Sequence, residues 1–105
     1  METRNYFLTG CASGIGKHMT GVLLRDGGRV FATDLNFDGL TECLRSEHWP
    51  ADRVEISRLD VTDPDDWDQV YEKALARFGS IDVHMNIAGY LQTGWVHEAP
   101  IKEVH

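Results

Sequence analysis

The residues best suited to chemistry in this 105-residue sequence are a glycine-spaced run, Thr9-Gly10-Cys11-Ala12-Ser13-Gly14-Ile15-Gly16. Each glycine has its own use where a strand turns into a helix. Gly10 permits the sharp exit from the strand, Gly14 lets the backbone approach a pyrophosphate, and Gly16 lets the helix pack closely on the sheet. The first amides of that helix, at the positive end of its dipole, then face an anion. A second feature is Asp34, 18 residues beyond Gly16, near the ~20-residue spacing at which a carboxylate binds the adenosine ribose of a dinucleotide. No Arg or Lys stands at Ser13 or Leu35 to compensate a 2′-phosphate, so the pattern favours NAD over NADP. Two plainer readings compete: a glycine turn with no ligand, and an aspartate that only caps the next helix.

These residues need elements to hold them. Asn5 to Thr9 is a short aromatic and apolar run that reads as a buried strand. From Ile15, the positions Ile15, Met19, Val22 and Leu23 make the stripe of a helix that stops at Asp26-Gly27-Gly28. Arg29 to Thr33 is a second strand closed by Asp34, and Phe37, Leu40, Cys43 and Leu44 carry a helix from about Phe37 to Ser46. A loop over His48 to Arg53 leads to a third strand, Val54 to Leu59, whose residues alternate in polarity. The next helix has the plainest signals: Asp63 as cap, Pro64 in its first position, Asp65 and Asp66 at its positive end, and Gly79 beyond it. Its stripe is Trp67, Val70, Tyr71, Ala74, Leu75 and Phe78. Ile81 to Ile87 reads as a fourth strand, and Val96 to Val104 as the start of another helix. Strands that alternate with helices predict an α/β fold, with a parallel sheet covered on both faces and ligands beyond the carboxyl ends of its strands.

Four motifs in this order resemble the short-chain dehydrogenase/reductase family. Thr9-Gly-x-x-x-Gly-x-Gly16 is similar to its cofactor signature, and Asp34 falls where its NAD-preferring members carry an acidic residue. Asp60-Val61 resembles the Asp-Val pair that ends the third strand, and Asn86-Ile87-Ala88-Gly89 resembles its Asn-Asn-Ala-Gly motif except at Ile87. The resemblance implies a partial Rossmann-type doubly wound parallel sheet of about four strands over residues 1–105. It also implies a cofactor site in which Ser13 and Ile15 hold the pyrophosphate and Asp34 and Leu35 the adenosine ribose. Asp60 and Val61 would then contact the adenine, with Asn86, Ala88 and Gly89 at the ribose on the nicotinamide side. The activity implied is hydride transfer between NAD(H) and a small alcohol or ketone.

The family's Tyr-x-x-x-Lys pair has no counterpart here, since the residues four beyond Tyr6, Tyr71 and Tyr90 are Gly10, Leu75 and Gly94. No catalytic residue is therefore assigned, and the chain reads as the cofactor-binding half of a longer protein. A nucleotide-binding or interaction module without catalysis is the alternative. A Rossmann-like methyltransferase shares the glycines and the acidic residue, but the Thr-Gly start and the later Asn-x-Ala-Gly favour the dehydrogenase. The unpaired edge expected of a half-domain predicts self-association, hence a homo-oligomer.

Composition agrees with such a protein. With 17 acidic against 10 basic residues the formal charge is −7, which disfavours nucleic-acid binding. No apolar stretch approaches a membrane span, and the first residues lack the pattern of a secretory signal, so a cytoplasmic address is expected. Cys11 and Cys43 form no CxxC pair. Cys11 lies by a helix start that can lower a thiol pKa, yet reads better as a space-filler. The five histidines lack metal-ligand spacing, so no metal is assigned. The acidic cluster Asp60, Asp63, Asp65, Asp66 and Asp68 is explained without a cation, by capping and by the role of Asp60.

Overall fold

The computed structural model describes residues 3–87, in the order β1 (Asn5–Thr9), α1 (Gly14–Arg25), β2 (Arg29–Asp34), α2 (Phe37–Ser46), β3 (Val54–Arg58), α3 (Pro64–Phe78) and β4 (Val83–Asn86). The helix expected over Val96 to Val104 lies outside the described residues. All strand pairs are parallel and the sheet order is β3-β2-β1-β4. Successive strands thus step outward from β1 to β3, and then the chain crosses back to place β4 on the other side of β1.

Because side chains alternate along a strand, the sheet feeds two separate cores. Leu8, Val30, Ala32 and Val54 face α1 and α2, packing with Leu24, Leu40, Cys43 and Trp49. Phe7, Phe31 and Leu59 face α3 and meet Val70, Ala74 and Phe78. Both faces are covered, as parallel strands require, and the fold observed is the parallel α/β sheet expected from the element order, of the partial Rossmann type that the resemblance implies.

The sequence reading differs from the structure in particular places. The buried line of α1 is Gly16, Thr20 and Leu24, whereas Ile15, placed on the expected stripe, is 53% exposed. The cause is the close approach of the helix at Gly16, which puts small residues against the sheet and turns Ile15 toward solvent. Thr20 tolerates burial because its hydroxyl donates to the Gly16 carbonyl at 2.8 Å. On α3, Leu75 is likewise exposed. The fourth strand is shorter than Ile81 to Ile87, and β3 ends one residue before Leu59.

The amino ends of the strands are braced by one buried side chain. Asn5 accepts from Arg29 Nε at 2.9 Å and donates to the Ser80 carbonyl at 3.0 Å, while its amide donates to Asp82 at 2.8 Å. The Arg29 and Arg77 guanidinium groups both lie over the Phe78 ring, at 5.6 and 5.3 Å. Among the described residues no helix is long and apolar enough to cross a membrane.

Candidate functional site

The strand order reverses between β1 and β4, the place where an open parallel sheet leaves a crevice at its carboxyl end. At that point the two strands are joined by side chains, the Thr9 hydroxyl donating to Asn86 Oδ1 at 2.9 Å, with both residues buried. Asn86 therefore stands at the carboxyl end of β4, paired with Thr9, from which the glycine-spaced loop departs.

That loop turns through Gly10 and Gly14, at φ +72° and +57°. A methyl group at Gly16 would sit 1.9 Å from the Gly10 carbonyl oxygen, so only glycine permits the contact between helix and loop. At Gly14 the opposite holds: a methyl group there would meet nothing within 4 Å. The backbone thus offers open space at the start of α1. This helix also begins differently from the others. Asn36 caps α2 and Asp63 caps α3, with Asp65 and Asp66 in the first turn, but Ser13 makes no side-chain cap for α1 and its first turn holds no acidic residue. The positive end of α1 thus has neither a Ser13 side-chain cap nor an acidic residue in its first turn.

Asp34 ends β2 next to this loop. One carboxylate oxygen accepts from the Ala12 amide at 2.9 Å and the other from the Asn36 amide at 2.9 Å. A carboxylate has about four acceptor positions, so both oxygens retain capacity toward hydroxyl groups. Its neighbour Leu35 is apolar and 52% exposed. Asp34 therefore does more than start the next helix; it also ties the loop to β2.

Beyond β3, Asp60 accepts from the Thr62 hydroxyl at 2.6 Å and the Thr62 amide at 3.0 Å. These two bonds hold its carboxyl below the usual value of 3.8. The turn is secured from α3, where Asp66 accepts from the Asp60 amide at 2.7 Å and Trp67 Nε1 donates to the Val61 carbonyl at 2.8 Å. Sequence reading gave Asp66 a helix-terminus role, and the structure adds this second one. The structure thus gathers Gly10, Ser13, Gly14, Ile15, Gly16, Asp34, Leu35, Asp60, Val61 and Asn86 at the carboxyl ends of the strands. Ala88 and Gly89 lie outside the described residues.

Cys11 is fully buried, and burial pushes its thiol up to about 12 against small opposing effects from hydrogen bonds to Thr20 and Thr33. The helix start does not activate it, and the space-filling reading stands. Two contributors were not among the expected cofactor-binding residues. Thr9 was legible only as part of the glycine motif, and Cys43, 31 positions from Ala12, donates its thiol to the Ala12 carbonyl at 3.3 Å. Among the described residues no three His, Cys, Asp or Glu side chains are grouped to hold a metal.

Comparison with known proteins places this geometry in context. The family model for short chain dehydrogenases matches residues 4–105. A 3-oxoacyl-(acyl-carrier-protein) reductase of Thermotoga maritima is 35% identical over 89 residues, 85% of this chain and 36% of the relative. A 2-(R)-hydroxypropyl-CoM dehydrogenase of Xanthobacter autotrophicus is 35% identical over 106 aligned positions, 96% of this chain and 42% of the relative. The chain thus spans about two fifths of the length of these relatives. Among solved structures, a 3-ketoacyl-(acyl-carrier-protein) reductase from Brucella melitensis complexed with NADH superposes with a TM-score of 0.72 at 25% identity, covering 79% of this chain and 33% of that one.

Proposed function

Since the chain belongs to the short-chain dehydrogenase family, we propose that it is the cofactor-binding part of an NAD-dependent oxidoreductase acting on a small alcohol or ketone. The observation that carries this reading is the pairing of an uncapped helix start, with open space at Gly14, and a carboxylate on the adjoining strand end. The first suits a pyrophosphate; the second suits a ribose with free hydroxyls. Ser13 and Ile15 would hold the pyrophosphate, Asp34 and Leu35 the adenosine ribose, and Asp60 and Val61 the adenine. Asn86, with Ala88 and Gly89, would meet the ribose on the nicotinamide side. When bound, the nicotinamide supplies or accepts the hydride, and the protein supplies position.

Selection of NAD follows from charge. A 2′-phosphate at Asp34 would meet a carboxylate, with the exposed aliphatic Leu35 beside it in place of a cation. We assign the protein to the cytoplasm, and its self-association to the outer edge of β4, which has no strand partner among the described residues. A binding module without catalysis would use the same contacts; turnover of an alcohol with NAD by the purified chain excludes it.

Calorimetry with NADH and NADPH tests the reading through Asp34→Ala. This change also removes the Ala12 bond, which weakens both cofactors alike, so the ratio of the two affinities is decisive. The ratio is expected to fall by about tenfold or more, with NADPH gaining relative to NADH, as loss of one charge–phosphate repulsion requires. An unchanged ratio overturns the role of Asp34.

A further inference from the structure

The peptide groups of the glycine-spaced loop are gripped from β2 and α2 before any ligand arrives. The Cys11 amide donates to the Thr33 carbonyl at 3.0 Å, the Ala12 amide donates to Asp34 at 2.9 Å, and the Ala12 carbonyl accepts from the Cys43 thiol at 3.3 Å. Ala12 is thus held at both ends, by a strand-end carboxylate on one side and a helix thiol on the other. The two helices and the loop are also in contact range. A methyl group on Gly39, in the first turn of α2, would meet the Asn36 capping side chain at 2.6 Å and the Ala12 Cβ at 3.1 Å, both tighter than ordinary packing. By contrast Ser13 and Gly14 are exposed, so the gripped part of the loop ends where the open part begins.

We propose that Cys43 is a positioning residue for the cofactor loop, setting through Ala12 the placement of Ser13 and Gly14 relative to Asp34. The thiol can serve as donor because it stays protonated. Burial raises its pKa above the ordinary value, and the acidic neighbours Glu47, Asp34 and Glu42 act in the same direction against the opposing effect of Lys17. The carbonyl it serves belongs to the same residue whose amide engages Asp34, so loss of the thiol frees one end of a peptide pair that the ribose-binding carboxylate holds at the other. The rest of the core does not require a sulfur here: Cys43 packs within the same cluster as Leu40 and Leu24, where an aliphatic side chain of similar size fits equally well.

The proposal rests on the dinucleotide reading, and two substitutions separate its failure from the failure of that reading. Cys43→Val removes the donor and puts a slightly larger aliphatic side chain in its place; Cys43→Ser keeps a donor and adds polarity to the core. NADH affinity of the full chain, measured by calorimetry, is expected to weaken about three- to tenfold in the valine variant, the range of one lost hydrogen bond, and to stay within about twofold of wild type in the serine variant. Amide hydrogen exchange at Ala12 to Gly14, measured without ligand, is expected to accelerate in the same order. Packing alone predicts the reverse, with serine the worse of the two, and that order, or equal behaviour of the two variants, overturns the proposal. If wild type binds no NADH, the dinucleotide reading falls while the exchange rates still decide whether Cys43 holds the loop. Cys43→Ala provides a second route should the valine variant not fold: it removes the same donor without added bulk and is expected to weaken NADH binding and speed exchange at Ala12 to Gly14 in the same way, and unchanged affinity and exchange contradict the proposal.

Discussion

Gly16 and Gly14 are two glycines of one motif with opposite physical reasons to be glycine, and they are expected to separate on substitution. Gly16→Ala drives a methyl group into the Gly10 carbonyl at 1.9 Å, and the backbone cannot yield without lifting α1 from the sheet. The expected loss is about 3 kcal/mol of stability, at the upper end for overpacking. Gly14→Ala meets no neighbour, and its left-handed φ of +57° costs about 1 kcal/mol. Its methyl group nevertheless enters the space assigned to the pyrophosphate, so NADH binding is lost from a protein that still folds. Denaturant melts with parallel NADH titration check both; equal destabilisation by the two changes contradicts the assignment. At this scale the sequence was highly legible, because glycines, an aspartate and their spacings are local signals. Cys43 was not legible, since a thiol on one helix and a carbonyl in a distant loop meet only through tertiary packing.

Among the elements, α3 shows how well local chemistry determines a helix. Asp63 accepts from the Asp65 and Asp66 amides at 3.0 and 3.4 Å, Pro64 opens the first turn, and Gly79 ends the last at φ +88°. Its boundaries follow from sequence for that reason. The turn before it is pH-sensitive through Asp60. Its folded pKa lies below the unfolded value near 3.8 because Thr62 donates two hydrogen bonds to the carboxylate. The stabilisation is therefore present above that unfolded value and is lost as pH falls through the lowered folded pKa. Thr62→Val removes the hydroxyl bond and leaves the amide bond, so a carboxyl NMR titration is expected to show the Asp60 pKa rising toward 3.8. An unchanged value contradicts this. The end of α2 at Ser46 agrees with the sequence reading, but the way the chain leaves it was less legible. His48, not a glycine, takes the left-handed position at φ +57°, and the Trp49 amide then donates back to the Leu44 carbonyl at 3.2 Å, the closure expected just beyond a helix. That closure buries Trp49 in the core, although the residues around it read as a loop.

Across the whole molecule the two ends of the sheet are built for different purposes. The amino ends carry the Asn5 hydrogen bonds and the contacts of the Arg29 and Arg77 guanidinium groups with the Phe78 ring, which fix strands and helix together. The carboxyl ends carry the loop, Asp34, the Asp60 turn and the Thr9–Asn86 bond. The topology was legible because strands and helices alternate in type and length, and the crossover back to β1 followed from the resemblance. The small-residue contact face of α1 was not legible, because helical periodicity favours large apolar residues while close approach selects small ones. The central claim is that a dinucleotide occupies the carboxyl end along the line from the loop to Asp34 and Asp60. Titration of isotope-labelled chain with NADH, followed residue by residue by amide NMR, tests it most directly. Perturbed amides are expected at Gly10 to Gly16, Asp34 to Asn36, Asp60 to Val61 and Asn86, with Asn5, Arg29 and Phe78 unaffected; no perturbation, or one centred on those three residues at the amino ends, would contradict the account.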